Sequence, residues 1–162
     1  MTQGHQKRIQ EFMHAWQKED YEWMGTLTTV TWRRSIARNA LEEDQNVAML
    51  GLREKGNPPD VIRQAITNEI RTKYYPMRLN AVTGYGETTE FPSTNEETPG
   101  VFHVSQAVEV EITFRDAFDK EAPTFTKRGV VEFRLICEDK EGTPGPGGQW
   151  YIHPNSYKGT FA

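Results

Sequence analysis

Four histidines, one cysteine and a set of strand-borne carboxylates are the residues through which this chain could do chemistry. His5 and His14 stand nine residues apart in a helical run. At about 100° per residue that spacing turns them to opposite faces, so one helix cannot present both to a metal ion. His103 and His153 fall in strand-like runs that a sheet could bring together. Two imidazoles without a matched set of carboxylates, however, make no expected metal centre. Cys137 has no second cysteine to pair with, which excludes an intramolecular disulfide and a Cys-rich metal site. Its place at the end of the strand-like run Val130 to Cys137 marks a buried, inert thiol rather than a nucleophile. No phosphate-binding loop, dinucleotide fingerprint, nucleophile elbow or zinc-protease motif occurs, and Gly84-Tyr85-Gly86 lacks the third glycine and the following helix. Neither a cofactor nor a metal is expected.

The 162 residues carry 19 basic and 23 acidic side chains, a net charge of −4, interspersed along the chain rather than blocked. Nucleic-acid binding usually needs a basic face, and this balance argues against it. One local cluster, Arg33, Arg34 and Arg38, reads as a solvated helix face. No apolar run approaches the roughly 20 residues of a membrane-spanning helix, and the first eight residues lack an apolar signal core. The chain is expected to be soluble, cytoplasmic if Met1 is the native start and extracytoplasmic if the sequence is part of a longer exported precursor.

The elements that must position these residues follow from periodicity. Ile9, Phe12, Met13 and Trp16 recur at helical spacing, Asp20 is placed to cap a second helix through Tyr21, Met24 and Leu27, and helical character returns from Trp32 to Leu52. There Ile36, Ala40, Leu41, Val47 and Leu50 form the apolar stripe, and Gly51 or Gly56 ends it. Asn57-Pro58-Pro59 starts a further helix that Pro76 stops. Beyond Pro76 the period becomes two. Met77 to Tyr85 alternates loosely, Gly86 to Gly100 reads as an acidic surface loop, and Phe102 to Phe114 and Phe125 to Cys137 alternate clearly. The Gly- and Pro-rich segment 142–148 is a turn after which Gln149 to His153 pairs back antiparallel. The expected architecture is a single α+β domain over 1–162, with N-terminal helices (5–75) packed on an antiparallel β-sheet (77–157).

The run Phe12 to Met24, with Glu19-Asp20-Tyr21 between two helical stretches, resembles the opening of NTF2-like domains, the cone-shaped cystatin-like fold. Val131 to Asp139, a turn and Gln149 to Ser156 resemble the closing hairpin of small NTF2-like proteins of unassigned role. The resemblance implies N-terminal helices packed on a curved antiparallel sheet, the NTF2-like cone. Between Trp32 and Pro76 the helical stretch is longer than the family's usual short strand and single helix. The same superfamily includes enzymes resembling ketosteroid isomerase and scytalone dehydratase, which place Asp, His or Tyr inside the cone.

Strand parity tests that implication. If the apolar faces meet the helices, the interior receives Val108, Val110, Ile112, Phe114, Val131, Phe133, Leu135, Trp150 and Ile152, none of which transfers a proton. Trp16, Tyr21, Tyr85 and Gln106 could line a small cavity suited to an apolar ligand. Glu109, Glu111, Glu132, Arg134, Tyr151 and His153 fall on the opposite face, where they could form cross-strand pairs and an interface for a protein partner or a second copy. The expected role is therefore binding through that face. The alternative is a small-ligand or isomerase/dehydratase-like site in the cone, which needs a β-bulge that turns Glu109 or Glu132 inward.

Overall fold

In the computed structural model, which describes residues 4–161, four helices precede four strands: α1 (Gly4–Gln17), α2 (Tyr21–Thr26), α3 (Val30–Met49), α4 (Pro58–Tyr74), β1 (Met77–Pro92), β2 (Val101–Phe114), β3 (Phe125–Glu138) and β4 (Gln149–Phe161). The strands form one antiparallel meander in the order β1-β2-β3-β4, with α1 packed on one face. The fold is α+β.

Local signals account for the helix ends. The Asp20 carboxylate accepts the Trp23 amide at 3.0 Å, which caps α2. Helix α3 ends in a Schellman motif, in which Gly51 at φ 73° donates to Ala48 O and Leu52 N donates to Val47 O. Prolines 58 and 59 occupy the first turn of α4, where an amide would have no helical partner.

Two strands are longer than periodicity alone indicates. Gly86 to Pro92 is not a loop: Thr88, Thr89, Glu90 and Phe91 pair with Gln106, Ser105, Val104 and His103, so only 93–100 connects β1 to β2. Polar Thr and Glu side chains carry no alternation signal, and pairing with a long partner strand overrides the low strand propensity of Gly and Glu. Likewise β4 continues past His153 to Phe161 through a bulge, with Arg134 opposite His153 but Glu132 opposite Lys158. Pro154 is tolerated because β4 is an edge strand and the bulge removes the need for its amide. The Ser156 hydroxyl closes the gap by accepting the Arg134 amide at 2.9 Å.

The core lies between α1 and the sheet. Ile9, Phe12, Met13 and Trp16 from α1 meet Val108, Val110, Ile112, Val131, Phe133, Leu135 and Ile152, all buried. Tyr74 and Tyr157 complete an edge-to-face aromatic cluster with Phe12, Trp16 and Phe133, with ring centroids 5.2–6.4 Å apart. Helix α3 behaves differently. Of its 20 residues only Val30 and Asp44 are buried, and Leu50 at its end is exposed. Its stripe packs on α4 as a helical hairpin instead of joining the main core.

Candidate functional site

The strand register fixes what the sheet shows on the side away from α1. Two rows run across all four strands: Phe91–His103–Ile136–Tyr151 and Thr89–Ser105–Arg134–His153. Beyond them Ala107, Glu132 and Lys158 align, then Glu109 with Val130, then Glu111 with Arg128. Glu109, Glu111, Glu132, Arg134, Tyr151 and His153 are thus spread over one outward surface.

Several of these side chains have partners outside the set. Glu132 accepts a hydrogen bond from the Ser105 hydroxyl at 2.7 Å, and Glu111 pairs with Arg128 at 3.6 Å. The Glu109 carboxylate lies over Gly84, where any β-carbon would sit 2.4 Å from its Oε2. A larger residue at Gly84 would therefore push the Glu109 carboxylate aside. Tyr151 lies between the guanidinium groups of Arg8 and Arg33, 5.5 and 5.2 Å from its ring centroid.

Arg134 stands apart from this pattern. Its guanidinium stacks on the Phe91 ring at 4.1 Å and, among the described residues, donates to no hydrogen-bond acceptor and pairs with no carboxylate. On either side are His103 and His153. Burial lowers the pKa of both from the ordinary imidazole value of 6.5, and the Arg134 charge lowers both further. Lys73 on α4 adds to the effect at His153, while Glu138 opposes it at both. Lys73 itself donates to Asn155 Oδ1 at 3.0 Å.

Next to this cluster the first turn of α3 covers the end of the sheet and leaves a cleft of about 420 Å³, lined by Trp32 and Ser35 on the helix, Ile136, Glu138 and His153 on the sheet, and Pro144 in the β3–β4 turn. Glu138 is only 3% exposed, and its Oε1 accepts the Val30 amide at 2.6 Å. The carboxylate thus serves as the N-cap that the Thr29 side chain does not provide. Its burial has a structural cause, and no proton-transfer role is needed to explain it.

The four candidate cavity residues lie in separate settings. Trp16 is buried in the core and donates from Nε1 to Met77 O at 2.8 Å. Tyr21 is part of a knot in which Arg115 pairs with Glu19, donates to Tyr75 O and stacks on the Tyr75 ring at 3.8 Å. Burial, reinforced by Glu19, pushes the Tyr21 phenol up to about 12. Tyr85 has core parity but sits on the edge strand, 44% exposed. Gln106 is 1% exposed, and its amide bridges the β1 bulge by donating to Gly86 O and Ala107 O and accepting from the Thr88 hydroxyl.

Among the described residues no group of three or more His, Cys, Asp or Glu side chains could hold a metal, and no helix is long and apolar enough to cross a membrane. Burial raises the Cys137 thiol pKa, and Sγ faces the Gly145 carbonyl at 3.6 Å. In the basic cluster, Arg34 is taken up by Glu141 and the carbonyl of Lys140. The unpaired state of Arg134 was not legible in the sequence, because its stacking partner Phe91 lies in the segment that reads as loop. Comparison with family models, with curated proteins and with solved structures finds no match to this chain.

The histidines make stability depend on pH in a direction that can be stated. His5, His103 and His153 all have folded-state pKa values below 6.5. Below that pH the unfolded chain takes up protons that the folded chain resists, so their contribution is complete above pH 6.5 and is lost as pH falls. The urea midpoint is expected to drop between pH 7.5 and 5.5. The drop should shrink in the double variant His103→Gln/His153→Gln, and an unchanged midpoint in the wild type would contradict this assignment.

Proposed function

We propose that this chain is an NTF2-like domain that acts by binding a protein segment on the outward face of its sheet, without catalysing a reaction. The observation that carries the reading is the contrast between the two faces. The inward side is occupied by the interlocked rings of Phe12, Trp16, Tyr74, Phe133 and Tyr157, and apart from Gln106 the buried strand positions behind them are apolar. The outward side combines a stacked, unpaired cation, two imidazoles and an adjoining cleft. Helices followed by an antiparallel meander around α1 agree with the NTF2-like plan, although fold alone assigns no role.

A displayed library of random peptides, selected on the immobilised domain, tests this. Selected peptides should shift the backbone amide resonances of Ser105, Ala107, Glu132 and Arg134. Benzene added to the same sample should leave the amides of Trp16 and Phe133 unmoved. Benzene shifts confined to those core amides, with no peptide response on the sheet, would replace this reading by the small-ligand one.

A further inference from the structure

The geometry points to a carboxylate-binding subsite at Arg134, which takes an Asp or Glu side chain of an acidic peptide lying across the outward strands. The inference rests on the sheet-face reading above and names the chemistry that the face selects. A guanidinium offers five donors in a planar fork that matches a carboxylate in two parallel hydrogen bonds. Other arginines of this fold spend that fork internally: Arg8 on Glu11, Gln149 and the Trp150 carbonyl, Arg53 on Asp44, and Arg115 on Glu19 and the Tyr75 carbonyl. Arg38 and Arg71 lack an acceptor among the described residues too, but both are exposed. Arg134 is half-buried and has none of these outlets, while the Phe91 ring supports one face of the guanidinium and restricts its orientation. A cation held in place before the ligand arrives loses less side-chain entropy on binding.

Charge selects the ligand class. Glu132, Glu138 and Glu109 lie on or beside the same surface and would repel a polyanion. One uncompensated guanidinium with neutral imidazoles at its flanks suits a single negative charge. The cleft beyond His153, with Trp32, Ile136 and Pro144 in its walls, lies on the β4 side of the guanidinium and can receive an apolar side chain further along the same peptide. A free small anion would leave that cleft unused, whereas a peptide fills both.

The test uses two capped hexapeptides that share a Leu and differ only in carrying Glu or Gln, titrated into the whole domain while the Arg134 Nε–H resonance is followed. The Glu peptide is expected to bind about 10- to 100-fold more tightly than the Gln peptide, the range for a charge-assisted pair. Arg134→Ala should remove the difference, and Arg134→Lys, which cannot form the fork, should keep only part of it. Phe91→Leu should weaken binding with the charge intact. Equal affinity for the two peptides, or a Glu preference that survives Arg134→Ala, would overturn the proposal. So would tighter binding of inorganic phosphate or of a single-stranded oligonucleotide. If library-selected peptides lie on the sheet but carry no acidic residue, the binding function stands and this subsite does not.

Discussion

Trp16→Ala is expected to lower the unfolding free energy by about 3–5 kcal/mol, the range for deleting a large aromatic side chain from a closed core. Trp16 is 1% exposed, meets the edges of Tyr74 and Phe133, and satisfies the Met77 carbonyl at the start of β1. The substitution removes the rings' shared packing and a hydrogen bond together, and a domain of this size has about 5–15 kcal/mol to lose. Trp16→Phe keeps most of the packing but leaves the Met77 carbonyl without its donor. It should cost about 0.5–1.5 kcal/mol, the net value of one hydrogen bond. Urea denaturation followed by circular dichroism gives both values. The result also bears on function, because a cost below about 1 kcal/mol for Trp16→Ala would mean that the interior is loosely filled, as a ligand cavity requires.

The parity of β2 and β3 was legible because their alternation is strict over long runs, so the residues between Val104 and Ile112 and between Val131 and Leu135 sort to the correct faces. The helix starts at Asp20 and Pro58 were legible because each answers a local backbone need, Asp20 by accepting a free amide and Pro58 by lacking one. What escaped depends on distant partners. Val30 and Thr31, β-branched and poor for helix, begin α3 because a carboxylate 108 residues away caps the Val30 amide. Phe91 becomes a stacking platform only once β1 is extended against β2. Tyr157 enters the core only because the β4 bulge turns it inward against Tyr74 and Phe133. Each of these contacts bears on which face of the sheet is filled and which is open, and none has a local sequence signature.

Glu138 joins the fold to the proposed site, and its replacement by Ala is expected to cost about 1.5–3 kcal/mol, the value of a hydrogen bond to a charged group. The loss should be local in its dynamics. Amide exchange at Val30, Thr31 and Trp32 should accelerate strongly while that of Val131, Phe133 and Leu135 follows only the global change, because the carboxylate contacts the first turn of α3 and not the aromatic core. Glu138→Gln retains an acceptor but gives up the favourable charge at a helix N-terminus, so about 0.3–1 kcal/mol should remain lost. The same substitutions act on the open face with the opposite sign. Glu138 raises the pKa of His103 and of His153, against burial and Arg134, and it is a negative charge that a bound carboxylate must approach. Removing it should lower both imidazole pKa values further and tighten the binding of the Glu peptide while the domain itself becomes less stable. Nuclear magnetic resonance titration of the two imidazoles, beside the peptide affinity, reads both effects in one sample. A variant that loses stability and peptide affinity in parallel would show that Glu138 supports the site only through the fold.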